Sequence, residues 1–162
     1  MTPAGRAKAM LPYVPDEVFN MFLAPLIETD GWPSDTSMPL EQPWSLWLGT
    51  HFLNEFINLR WKRDTLLINE NVLHPNSQGD INALISAVFY NSWTPAGYDL
   101  AKAKMRVHSQ IEIIRRTGHL CAPIVITHTP AGFRVLDGHH RMAAHYTLRL
   151  HTTIPVPAWI GK

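Results

Sequence analysis

The sequence predicts an α/β (α+β) fold in which a small C-terminal sheet is joined to a mainly helical N-terminal extension. Within the first 100 residues, apolar positions recur at three- and four-residue intervals over Val18 to Ile27 and again over Ile81 to Phe89, the helical period. From Pro123 the pattern changes to short branched runs separated by a turn. At Asp137-Gly138 a strand pattern passes directly into a helical one, so residues 120 to 160 read as one βα-type unit. The expected division is a helical lobe over 1–100 packed on a core over 101–162, or one compact domain overall. A chain of 162 residues, 46% hydrophobic and 17% charged, has the apolar content to bury such a core.

The elements follow in order. Met1 to Pro15 is rich in Pro, Ala and basic residues and reads as an irregular arm. Val18, Phe19, Phe22, Leu23, Leu26 and Ile27 fit a short helix opened by Pro15. Asp30 to Pro43 is a long connection anchored by Trp32. Trp44 to Leu59 is apolar enough for a largely buried helix, and Trp44, Trp47 and Trp61 are assigned to core packing rather than base stacking. Thr65-Leu66-Leu67-Ile68 fits either a strand or a helical turn. Beyond a polar connection broken at Pro75, Ser77 or Asp80 caps a helix to about Ser92, with Ile81, Leu84, Ile85, Val88 and Phe89 inward.

A basic helix is expected from Asp99 to Thr117, packing through Met105, Ile111 and Ile114 and ending at Gly118. Arg115 and Arg116 suit a helix C-terminus electrostatically and need no ligand to explain them, with one of them facing a phosphate as the lesser alternative. Pro123-Ile124-Val125-Ile126 and Phe133-Arg134-Val135-Leu136 form a β-hairpin with a loop longer than the two-residue minimum. His139 to Arg149 is helical, with Met142, Ala143, Tyr146 and Leu150 available for packing. Ile154 to Ile160 contains Pro155 and Pro157 and is placed at a sheet edge.

Several classes are disfavoured. No apolar run has the length of a membrane span and no secretory leader opens the sequence, so the expected location is the cytoplasm, with no membrane partner. Cys121 is the single cysteine, which excludes an intrachain disulfide and a cysteine-rich metal site; between Leu120 and Ala122 it reads as a buried thiol. The net charge of +1 conceals an asymmetry. Residues 1–99 carry 5 basic and 11 acidic groups, and residues 100–162 carry 9 and 2. That partition can draw a nucleotide or nucleic acid to the C-terminal part, or pack an acidic lobe on a basic one.

Chemistry concentrates at Asp137-Gly138-His139-His140-Arg141. A strand that ends in Asp-Gly and enters a helix presents free backbone N–H groups, Gly138 permits close approach, and the helix start favours an anion. Arg141 can bridge two phosphate oxygens, while His139 or His140 can donate a hydrogen bond or exchange a proton. The structural alternative has Asp137 capping the helix, Gly138 filling a turn and one histidine in the core. A zinc site on His139, His140 and His145 is disfavoured by spacing, whereas Mg²⁺ carried in with a nucleotide needs only one or two carboxylates.

Pro123-Ile124-Val125-Ile126 followed by Gly132 to Ala144, after the helix and glycine of Ile111 to Leu120, resembles the core of the ParB N-terminal/sulfiredoxin superfamily over about residues 108–160. The resemblance implies a small mixed sheet that binds nucleoside phosphates at the motif turn, with ATP or another nucleoside triphosphate as ligand and Mg²⁺ as its companion. It implies Gly138, His140 and Arg141 around the phosphates, Asp137 orienting the turn, and catalytic roles among Asp137, His139 and His140. Members include CTP- and DNA-binding partition proteins, ATP-using sulfiredoxins, free-serine kinases, and plasmid proteins with ATPase or DNase activity. Sulfiredoxins carry their reactive cysteine where this chain has His139, so peroxiredoxin repair is disfavoured. Asp-Gly-His-His-Arg is closer to the kinase-like members than to the Gly-Glu-Arg-Arg of partition proteins, whose helix-turn-helix and dimerisation domains are not recognisable here.

Three functions follow as expectations. The first is a nucleotide-dependent enzyme, hydrolysing or transferring a phosphoryl group, with Asp64, Glu70 or Glu112 as the supporting carboxylate. The second is a nuclease or DNA-binding protein. The third is a nucleotide-binding or protein-interaction module without turnover, presenting the acidic, Trp-rich N-terminal part to a partner.

Overall fold

Four β-strands and eight α-helices, one of them continued through a π-helical segment, make up the described part of the computed structural model, which is every residue except Glu70. The α+β class therefore stands. The chain divides into two compact units, Met1–Lys62 with Trp159–Lys162, and Arg63–Ala158. The expected boundary at residue 100 is displaced to the first strand because the helix over Pro75–Tyr90 packs with the motif elements, against the strand before the motif and the helices either side of it.

In the first unit, Met1 to Pro15 is not an irregular arm. Pro3–Met10 forms α1, begun by the Thr2 hydroxyl accepting the Gly5 N–H at 3.1 Å. Asp16–Val18 (α2) runs on through a π-helical segment, Phe19–Leu23, into Ala24–Asp30 (α3). The helix thus opens after Pro15 as expected but is longer. Pro25 has no N–H to donate one turn back, and the chain widens just before it, with the Ala24 N–H bonding Phe19 O five residues away.

The single helix expected over Trp44 to Leu59 is two, Trp44–Leu48 (α4) and Leu53–Ile57 (α5). Gly49 stops the first in the left-handed conformation, and Glu55 starts the second by accepting the N–H groups of His51 and Phe52 at 2.8 and 3.1 Å. Trp32 and Trp44 are buried and form core, and Trp44 meets both Trp32 and the half-buried Trp47 edge to face at 5.2 Å.

The ambiguous segment resolves as a strand: Trp61–Leu66 is β1, ending before Leu67 and Ile68. The sheet continues with β2 (Ile124–Thr129), β3 (Gly132–Asp137) and β4 (Val156–Gly161) in the order β1-β4-β2-β3. β4 is consequently internal, not an edge. Pro155 precedes the strand and Pro157, the one proline within it, disfavours ladder pairing locally, but strand order is set by which distant segment arrives beside it, and β1 does. Thr129 pairs with Gly132, so the hairpin loop is the two residues Pro130-Ala131 and not the longer one expected.

In the second unit, Pro75–Tyr90 is α6, Leu100–Thr117 is α7 and His139–Thr147 is α8. Neither Ser77 nor Asp80 caps α6; the His74 ring nitrogen accepts the Asn76 N–H at 3.1 Å. Ser77 is instead buried, its hydroxyl accepting the Val135 N–H at 2.9 Å, which satisfies one outward donor of the edge strand β3. Asp99 caps α7 through Lys102 N–H at 2.9 Å, so the helix begins one residue later than expected, and Gly118 ends it at φ 81°, as expected. Ile111 and Ile114 pack inward, but Met105 is 67% exposed. Cys121 is also exposed, because it lies in the loop between α7 and β2 and not in a strand; its thiol donates to Gln110 at 3.2 Å.

Candidate functional site

The register of the hairpin prepares the motif turn. Ile126 faces Val135 whereas Val125 faces Asp137, which leaves Leu136 as an extra residue on β3, a bulge at the strand end. Bulges twist a strand and re-aim its following side chains, here immediately before Gly138. Gly138 then stands at φ 109° as the residue before α8. A Cβ there would lie 2.5 Å from Ile124 Cγ2, so glycine is required both by conformation and by space.

α8 begins without a side-chain cap, and its first internal bond is Met142 N–H to Gly138 O at 2.9 Å. The backbone N–H groups of His139 and His140 meet no acceptor among the described residues. They therefore carry the positive end of the helix toward solvent. Beside them, Arg141 is only 12% exposed and is already engaged: one Nη donates to Asp137 Oδ2 at 2.8 Å and the other to Pro123 O at 3.1 Å. Asp137 thus ties the turn to the first turn of α8 through Arg141, and does not act as its side-chain cap.

These residues line a cleft of about 590 Å³, whose other wall is Met105, Arg106, Ser109 and Gln110 of α7. All five motif residues, Asp137, Gly138, His139, His140 and Arg141, are in the lining. Arg115 and Arg116 are not; both are exposed, and Arg115 pairs with Glu112 at 3.0 Å. The cation facing the motif is Arg106, which makes no ion pair or hydrogen bond among the described residues. It went unnamed in the sequence reading, although Lys102, Arg106, Ser109 and Gln110 form a polar stripe at helical spacing opposite Val107, Ile111 and Ile114. Met105 belongs to the same wall, which explains its exposure.

Electrostatics keep both motif histidines toward the neutral form. Burial lowers the His139 pKa below its ordinary value, opposed by Asp80 and Asp137. Burial also lowers that of His140, with Arg106 and His139 adding to the effect. Neutral imidazoles offer a nitrogen lone pair at neutral pH. Of the carboxylates considered from sequence, Asp64 and Glu112 lie outside the cleft lining and Glu70 lies outside the described residues. Asp137 is the carboxylate in the lining, and Asp80 of α6 is the one whose charge reaches His139 most strongly.

Among the described residues, no group of three or more His, Cys, Asp or Glu side chains is arranged to hold a metal ion, and no helix is long and apolar enough to cross a membrane. No family model, curated protein or solved structure matches the chain.

Proposed function

We propose that the chain is a nucleotide-dependent enzyme of ParB/sulfiredoxin type that binds the phosphates of a nucleoside triphosphate in the cleft between α7 and the β3–α8 turn, and transfers the terminal phosphoryl group to water or to an acceptor hydroxyl. The observation that carries the reading is the opposition of Arg106 to the open helix start at Gly138, His139 and His140 across one cleft. Backbone N–H groups at a helix start suit phosphate oxygens, and a guanidinium across from them neutralises charge that grows on the leaving phosphate. Arg141 contributes mainly by fixing Asp137 and the turn, since two of its nitrogens already have partners.

In the transfer step the bond from the terminal phosphorus to the nucleotide oxygen breaks and a bond to the acceptor oxygen forms. The acceptor gives up its proton to a neutral imidazole, and His139, the more strongly buried of the two, is assigned that role. The departing oxygen keeps the electron pair and meets Arg106. Asp137 is the residue that would hold Mg²⁺ accompanying the nucleotide, and the ion would add charge neutralisation at the phosphates.

Isothermal titration of the full chain with ATP, ADP, CTP and GTP in Mg²⁺, repeated with Arg106→Ala, tests the reading. Loss of one charged phosphate contact should weaken binding about 10- to 100-fold in a variant that remains folded. Absence of saturable binding by every nucleotide, or unchanged affinity in the variant, would overturn it.

A further inference from the structure

The cleft does not end at Arg106. A smaller cavity of about 190 Å³ adjoins it, lined by Tyr98, Asp99, Lys102, Ala103, Arg106 and His140, and shares the last two residues with the larger space. Arg106 and His140 therefore stand on the boundary between two compartments, one at the motif turn and one at the start of α7. The larger volume lies within the usual range for small-molecule sites, whereas the smaller is below it and suits one part of a ligand rather than a whole one.

Tyr98 distinguishes the second compartment. Its backbone is held, with its N–H on Pro95 O and its carbonyl accepting from Leu100, both at 3.1 Å. The next residue, Asp99, is fixed as the α7 cap. Tyr98 is 42% exposed, and among the described residues its ring stacks on no other ring and its hydroxyl has no hydrogen-bond partner. Apart from the histidines, it is the aromatic ring in the lining of either compartment. A positioned, half-exposed ring with an unused face beside a cationic cleft is the arrangement on which a nucleobase stacks.

We propose that the smaller compartment receives the nucleoside half of the ligand, its base stacked on Tyr98, while the phosphates occupy the motif cleft and Arg106 and His140 stand between the two. This rests on the nucleotide reading given above and adds to it the residue that tells a nucleotide from a bare polyphosphate. A base contact of this kind should change the affinity for nucleotides and leave that for inorganic chains untouched.

The test is titration of the full chain with ATP and, separately, with inorganic tripolyphosphate, for the wild type, Tyr98→Ala and Tyr98→Phe. Tyr98→Ala should weaken ATP about 10- to 100-fold and leave tripolyphosphate unchanged, and Tyr98→Phe, which keeps the ring, should bind ATP within about twofold of wild type. Undiminished ATP binding by Tyr98→Ala, beside retained tripolyphosphate binding, would overturn the base site alone. Equal weakening of both ligands would overturn it as well, because Tyr98 would then act on the phosphate wall. If the wild type binds neither ligand, the phosphate site itself fails and the base site with it.

Discussion

On the motif side of the cleft, Gly138 is pressed against Ile124, and Arg141 is tied to Asp137 and to the Pro123 carbonyl; across from it, Arg106 is exposed and reaches no partner among the described residues. The first wall is preorganised by packing and charge. The second is a helix face whose side chains can adapt. On the proposed nucleotide reading such a site separates two tasks, since the rigid wall would set where phosphates sit and the adaptable wall would supply charge without a cost to the fold. Substitutions in the two walls should therefore fail differently.

The largest effect is expected at Gly138. Gly138→Ala places a Cβ into Ile124 at a backbone conformation that L residues rarely adopt, and the sum of strain and overpacking should remove about 2–5 kcal/mol of stability. Chemical denaturation reads this directly. A loss below about 1 kcal/mol would mean that the turn relaxes and that the first wall is not rigid.

Arg141→Ala should come next, at about 2–3 kcal/mol, because it strands the Pro123 carbonyl and unpairs Asp137. Arg141→Ala therefore weakens the turn as well as any phosphate contact. Arg106→Ala, by contrast, should lie within about 0.5 kcal/mol of wild type in stability while carrying the loss of nucleotide affinity. Paired unfolding and binding measurements on the two variants sharpen the comparison; similar stability losses for both would dissolve the distinction between the walls.

The smallest effect concerns the other end of α8. His145 is 1% exposed, and although the Ile154 backbone lies close enough to favour the imidazolium, neither ring nitrogen makes a contact of hydrogen-bond geometry. Burial lowers its pKa from the ordinary 6.5. The unfolded chain then takes up the proton before the folded chain does, so this contribution to stability is present above about pH 6.5 and is lost as pH falls through the folded value. His145→Leu should lose less stability than wild type between pH 7.5 and pH 5, by thermal unfolding at each pH. An equal acid loss would assign the sensitivity to His139 and His140, whose pKa values are lowered in the same sense.

Local rules made much of the second unit legible. Asp99 and Gly118 mark the ends of α7 because capping and left-handed termination depend on residues within one turn. The passage from β3 through Gly138 into α8 is equally local. Local rules misjudged the start of the chain, where Thr2 and Pro3 open α1, and Trp44 to Leu59, where Gly49 divides a continuous apolar run.

By itself the sequence determined the α+β class, the motif turn with its five residues, and the extent of α7, since each follows from backbone preference or periodicity over a few residues. Tertiary structure alone decided that β4 lies inside the sheet, that Ser77 serves β3 instead of capping α6, that Arg141 is held by Asp137 and Pro123, and that Arg106 rather than Arg115 or Arg116 faces the motif. Those outcomes depend on which segments, distant along the chain, come to lie side by side. Hydrophobic burial drives that association without direction, and no local pattern records its result.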